Sequence, residues 1–287
     1  MPAPRVSFEF FPPKTPEATG RLWETVRELA PLQPSFVSVT YGAGGTTRAL
    51  THEAVTAIGR DFGLTVAAHL TCVDASRDET MAIADAYAEA GVHELVALRG
   101  DPPRGSGGFR PHPEGFANSI ELIAALAETG RFHLRVGAYP EPHPDATGPG
   151  ADVAWLKRKF DAGADSAITQ FFFEAETFLR FRDACAAAGI DRPVIPGIVP
   201  VESWTGVRKF AVACGASVPA RVDAAFAAAD TPEAVADTGA RLCIELCERL
   251  RAEGVDDLHF YTLNRAALTR RVCAALGVPA VALDGAA

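Results

Sequence analysis

Glu9 stands between Phe8 and Phe10, with Phe11 following, in the run VSFEFFPPK. A carboxylate among three phenylalanines is desolvated, and desolvation disfavours the charged form and raises the pKa. A carboxyl tuned upward suits general acid catalysis near neutral pH. The competing reading of the same residue is a buried ion pair, with Arg99 as the partner. Other polar groups recur at comparable places. Thr40-Tyr41 end one apolar run, and His69 and Thr71 lie in another. Arg99-Gly100-Asp101 close a third, and Tyr139 with His143 a fourth. Gln170 precedes Phe171-Phe172-Phe173, and Tyr261 is followed by Asn264 and Arg265. Any one of these has an ordinary explanation: His69 as a core histidine, Thr40 as a good strand former, Asp101 as a turn carboxylate. Together they imply one polar pocket.

The elements that must carry these groups alternate along the chain. Apolar runs at 6–10, 36–40, 66–71, 95–99, 134–139, 166–173, 194–198 and 258–261 are the expected strands. Amphipathic stretches at 17–30, 49–61, 78–90, 118–128, 152–162, 175–188, 202–213 and 265–276 are the expected helices, with one additional helix at 233–252 before the eighth strand. Such alternation indicates parallel βαβ units. Eight of them predict an α/β fold of the (β/α)8 TIM-barrel type, spanning residues 1–287 as one catalytic domain. An open doubly wound sheet is the other fold compatible with the pattern. In a barrel, every polar group named above falls at the C-terminal end of a strand, where this architecture places its chemistry. The long segments 101–116 and 141–150 also follow strands, so they belong to the same face. Gly after AEA, AET, AAA and VAC marks helix ends, and Thr231-Pro232-Glu233 marks a helix start.

The chain has 27 Lys+Arg against 36 Asp+Glu, a net charge of −9, and 48 % hydrophobic residues. This balance is that of a folded globular protein. The acidity argues against general nucleic-acid binding, which needs a basic surface. No apolar run approaches the roughly 20 residues of a bilayer span, and the N-terminus shows no secretory pattern, so a cytoplasmic enzyme without membrane or nucleic-acid partners is expected. The six cysteines form no CxxC pair, and no metal site is expected. Cys243 and Cys247 read as small buried side chains.

Phosphate handling is less explicit. No GxxxxGK[ST] or post-strand GxGxxG occurs. Gly42, Gly44 and Gly45 allow a backbone turn close to a ligand. Arg158 and Lys159 could hold a pyrophosphate or form a solvated helix face; Asp152, seven residues before Lys159, shares its face.

VSFEFFPPK, FVSVTYGAGG, HLTC, VALRGDPP, AYPEPHP, LKRKFDAGAD, ITQFFFE, IPGIVPV and FYTLNRA occur in this order. The set resembles the bacterial 5,10-methylenetetrahydrofolate reductase family from about residue 5 to residue 277. The resemblance implies a (β/α)8 barrel binding FAD. It implies ping-pong reduction of methylenetetrahydrofolate to 5-methyltetrahydrofolate, with NADH or NADPH as reductant and hydride passing through flavin N5. It casts Glu9 as the general acid that opens the imidazolidine ring, and Asp101 as the second catalytic carboxylate, favouring the cationic iminium. It implies substrate contacts at Thr40, Asp101, Gln170, Phe210, Tyr261 and Arg265. It implies FAD contacts at Tyr41, Ala43, His69, Arg99, Gly100, Asp101, Phe116, Ala117, Tyr139, His143, Asp152, Arg158 and Lys159. A homo-oligomer, in the service of one-carbon metabolism, is implied as well. Gly206 departs from relatives that carry a folate-contacting Gln there, and the 104–115 loop differs in length and composition. The regulatory C-terminal domain of eukaryotic members has no counterpart, so feedback by S-adenosylmethionine is not expected. The readings from other classes are a flavin-free folate- or corrinoid-linked methyltransferase barrel and a catalytically silent binding barrel.

Overall fold

Along each strand, side chains alternate between the helical jacket and the lumen of a barrel. On β1 (Arg5–Phe10), Val6, Phe8 and Phe10 are buried against Leu22, Val26 and Leu29 of α1 (Pro16–Leu29). Ser7 and Glu9 face the opposite way. The computed structural model describes residues 2–41, 47–101 and 109–282. The pattern of β1 repeats on β2 (Val37–Val39), β3 (Val66–Thr71), β4 (Glu94–Leu98), β5 (His133–Ala138), β6 (Ser166–Thr169) and β9 (Asp257–Tyr261). α2 (Arg48–Phe62), α3 (Arg77–Glu89), α4 (Ser119–Glu128), α5 (Ala151–Asp161) and α6 (Ala175–Ala187) follow β2 to β6 in turn.

The expected seventh strand, 194–198, is present as two pieces, β7 (Val194–Ile195) and β8 (Gly197–Ile198), divided by Pro196. Proline has no N–H for a ladder bond, so the strand bends there. β7 pairs with β6 while β8 pairs with β9, all in parallel, and the sheet closes on itself. Closure brings backbones close. A Cβ on Gly197 would lie 2.1 Å from the Thr169 carbonyl oxygen and 2.5 Å from the Tyr261 ring, so only glycine fits.

Three apolar clusters result. The largest lies between strands and helices and includes Cys243, Cys247 and Cys273. A smaller one fills the lumen with Phe36, Ala67, Val96, Ile168 and Ile195. The third sits under α7 (Trp204–Ala213) and α8 (Ala220–Ala227), around Phe171, Val199, Val207 and Phe226. The additional helix is α9 (Pro232–Ala252), N-capped by Thr231 with Pro232 in its first turn as expected. α8 was not expected: only Val222 and Phe226 anchor its alanine-rich sequence, too few apolar positions to show a period. α10 (Ala267–Ala275) follows β9. Gly91, Gly130, Gly189 and Gly215 end α3, α4, α6 and α7 with positive φ. No helix among the described residues is long and apolar enough to cross a membrane.

Candidate active site

Glu9 lies inside the lumen, with its side chain 12 % exposed. Its Oε2 is 3.3 Å from Nε2 of His69 on β3 and 4.0 Å from Nε2 of His259 on β9. Ser38 of β2, opposite Glu9 in the register, donates to the same oxygen at 3.5 Å. Two effects oppose each other on this carboxyl. Burial pushes it up, as the phenylalanines suggested, but the imidazoles of His259 and His69 draw it down to about 2. The expectation of a raised pKa is therefore corrected. The phenylalanines flank Glu9 in sequence but face the helices, and histidines occupy its own side of the sheet. The Arg99 pairing is corrected as well, since Arg99 Nη1 binds Asp145 at 2.9 Å.

His259 is fully buried, and burial is the chief reason its pKa is lowered. Its Nδ1 lies 2.8 Å from Ser7 Oγ. Nε2 faces a carboxylate, so the proton belongs on Nε2 and Nδ1 accepts from the serine hydroxyl. Nε2 of His69 and of His259 are both buried without a well-aligned hydrogen bond among the described residues. Buried polar atoms left in this state are what a ligand supplies with partners.

The other expected residues ring the same end of the barrel. Tyr261, at the end of β9, donates to the Thr169 carbonyl at 2.7 Å, and its phenol is held well above the usual range by burial. Gln170 follows β6, and its Oε1 accepts the Phe171 N–H at 3.0 Å. Phe210 on α7 is 45 % exposed and stacks on Phe171 with centroids 5.4 Å apart. Thr40 continues β2 by donating its N–H to the Phe10 carbonyl at 2.9 Å. Arg265 pairs with Glu202 at 3.0 Å, tying the start of α10 to the loop before α7. Asp101 is exposed at the end of β4. Gly206 lies on the exposed side of α7, with open space where a side chain would stand.

A second group lies beside β4 and β5. Lys159 is 6 % exposed, donates to the Gly137 carbonyl at 2.6 Å, and is lowered to about 8 by burial, against the opposing pull of Asp152. Asp152 accepts the His143 N–H at 3.3 Å, so the face it shares with Lys159 turns toward the β5 loop. His143 packs edge-on to Tyr139 at 4.5 Å. Arg99 carries the Phe109 ring 4.9 Å away. Gly100 has φ +85°, and a Cβ there would meet Val73 at 2.7 Å and Thr71 at 2.8 Å, so the turn between Arg99 and Asp101 needs glycine. Arg158 points outward over the Trp155 ring at 4.6 Å. Tyr41 accepts from Arg48 Nε at 2.9 Å. Phe116 does not reach the pocket with its ring, which is 1 % exposed in the main core beneath Arg77. The Ala117 N–H is taken by Glu121 at 3.2 Å. Ala43 lies outside the described residues. A cleft between the two groups is lined by Tyr139, Glu141, Gln170, Phe171 and Cys214. Sequence reading missed Ser7, Ser38, His259, Glu141 and Cys214. The first three share the inward parity of Glu9 and Tyr261 across the register, which was the available signal.

The sequence matches the methylenetetrahydrofolate reductase family over residues 2–277. The chain belongs to that family. It is 47 % identical over 274 residues to the 5,10-methylenetetrahydrofolate reductase of Salmonella typhimurium, covering 95 % of this chain and 90 % of the relative. The Escherichia coli protein of the same name gives the same identity and coverage. A plant relative from Arabidopsis thaliana, methylenetetrahydrofolate reductase (NADH) 1, is 36 % identical over 90 % of this chain and 46 % of its own length. Among solved structures, a Clostridium thermocellum protein described as binding two copies of 5-methyl-5,6,7,8-tetrahydrofolic acid superposes with TM-score 0.63. It is 12 % identical and covers 96 % of this chain and 94 % of its own, a likeness of fold alone.

Proposed function

We propose that this barrel reduces 5,10-methylenetetrahydrofolate to 5-methyltetrahydrofolate in two alternating half-reactions at one FAD, with NADH or NADPH as reductant. Family membership supports the reaction, and the Glu9–His69–His259 group is the observation that supports its chemistry. FAD, when bound, would supply the two-electron chemistry that links nicotinamide and folate. The residues present fit that cofactor. Arg99 and Lys159 offer positive charge to a pyrophosphate, while Arg158 points away from it, and the tight turn at Gly100 lets the backbone approach a ring system. Tyr139 and His143 offer flat surfaces beside it.

Glu9 handles the proton. Opening the imidazolidine ring breaks a C–N bond, whose electron pair stays on the departing nitrogen. That nitrogen takes a proton, and the methylene left on N5 becomes an iminium that accepts hydride. Without substrate Glu9 is ionised, because the imidazoles of His259 and His69 outweigh the upward push of burial. Excluding water disfavours the bare carboxylate, because ions lose solvation, and Glu9 then takes up a proton. Glu9 delivers that proton to the departing nitrogen and is left as a carboxylate, stabilised again by the imidazoles beside it. Asp101, exposed at the end of β4, favours the cationic iminium by its charge.

The test is a visible absorption spectrum of the purified protein with FAD. Anaerobic NADH or NADPH should bleach the flavin band, and methylenetetrahydrofolate should restore it. A protein that takes up no FAD contradicts the proposal and favours the flavin-free methyltransferase barrel.

A further inference from the structure

Arg135 on β5 points into the lumen and is 8 % exposed. Its Nε and Nη2 donate to Oε2 of Glu94 on β4, at 3.1 and 2.7 Å, and its Nη1 donates to Ser166 on β6 at 3.0 Å. These bonds fix the guanidinium over the Phe36 ring, 3.6 Å from the centroid. The imidazole of His259 stacks on that same ring, 5.5 Å between centroids and 12° from parallel. A column therefore crosses the barrel from β5 through the residue preceding β2 to β9, ending at Glu9. Nothing in the reaction described above uses Arg135, yet a paired arginine in a barrel lumen is costly to bury.

We propose that Arg135 is a positioning residue for the proton chemistry of Glu9: seated on Phe36, it keeps His259 an uncharged donor toward Glu9 and stops it from becoming a second cation on the same ring. The inference rests on the reading of Glu9 as the acid. Its physics is that of one aromatic quadrupole facing two candidate cations. Arg135 is always charged and lies against the ring on which His259 stacks, so a protonated His259 would be a second, like charge on one ring. The groups facing His259 are Ser7 and Glu9 on β1, His69 on β3, Arg135 on β5 and Tyr261 on its own strand. Only Glu9 among them favours a charged imidazole; His69 and Arg135 disfavour it, and burial acts in the same direction. With His259 held neutral, it serves Glu9 as an N–H donor and does not compete with it for a proton.

The test uses the full chain carrying ¹⁵N-histidine, with and without FAD, read by long-range proton–nitrogen NMR from about pH 5 to 8. The His259 signal is assigned by its loss in His259→Gln. In the unmodified chain it should stay neutral with its proton on Nε2. The double variant Arg135→Met, Glu94→Gln removes the cation without leaving Glu94 unpaired. In it, the His259 midpoint should rise by about one pH unit and the acid limb of the folate half-reaction should move with it. Arg135→Lys should restore the original behaviour. If the double variant does not fold, Arg135→Gln with Glu94→Gln removes the same charge, lets the two amides bond each other, and should also let His259 titrate. An unchanged His259 signal in whichever of these variants folds overturns the proposal. Failure of the Glu9 reading shows separately, as folate reduction at full rate by Glu9→Gln, and leaves these spectra untouched.

Discussion

The side-chain amide of Asn264 grips both backbone groups of Phe11: the Phe11 N–H donates to Oδ1 at 2.9 Å, and Nδ2 donates to the Phe11 carbonyl at 2.9 Å. The grip joins the loop after β9 to the chain two residues beyond Glu9. Thr262 reinforces it by donating to the Glu9 carbonyl at 2.6 Å. Leu263 and Asn264 both have positive φ, 52° and 54°, a conformation L-residues adopt at a cost. The loop accepts that strain because the hydrogen bonds offset it. Asn264→Ala loses both bonds and is expected to destabilise the protein by about 2–3 kcal/mol. The folate half-reaction should slow as Glu9 loses its fixed position. Denaturant unfolding together with stopped-flow flavin reoxidation checks both; a variant as stable as the parent contradicts the reading.

Lys159 predicts the pH dependence of flavin binding. Its ammonium is lowered to about 8 by burial. A pyrophosphate beside it favours the charged form and raises that value. Binding therefore takes up a proton near and above pH 8. FAD affinity should be flat below that pH and fall by up to about tenfold per pH unit above it. Lys159→Met should bind FAD more weakly at neutral pH and lose the slope. Fluorescence titration across the range measures both. A parent protein whose affinity ignores pH in this window would remove Lys159 from the pyrophosphate site.

Gly206 offers a substitution that should gain stability. It lies inside α7 on an exposed face with open space around it. Gly206→Ala should stabilise the protein by about 0.5–1 kcal/mol, the usual helix-interior difference. Gly206→Gln should bring a similar gain and also lower KM for the folate, if a side chain there reaches the substrate. Thermal melting and steady-state kinetics separate the two effects. An unchanged KM would leave the position with a helical role only.

The barrel was legible because its strands and helices have different periods, and because Gly and Thr-Pro mark the helix ends. The polar ends of β1, β3, β4, β5, β6 and β9 were legible as residue types. What the chain could not announce was who meets whom across the lumen. Glu9 reads as a carboxylate among phenylalanines, since sequence neighbours are visible and register partners are not. The parity of β1 and β9 puts Ser7 beside His259 and Glu9 beside Tyr261, so its true surroundings are histidine and serine. Arg135 and Glu94, forty-one positions apart, show as isolated charges in apolar runs until β4 and β5 are paired. Phe116 sits in a loop of the catalytic face, yet its ring turns inward to the core, an orientation its sequence neighbours do not show.

The central claim is that Glu9 supplies the proton for ring opening, and Glu9→Gln tests it most directly. Both proteins are loaded with FAD, reduced with dithionite, and mixed anaerobically with methylenetetrahydrofolate while the flavin band is followed. Glutamine keeps the size and polarity of the side chain but has no carboxyl proton to give. The account predicts that the parent flavin is reoxidised and that the Glu9→Gln flavin stays reduced, at least about a hundredfold slower, as expected for a lost general acid. Reoxidation of the variant at the parent rate would contradict it.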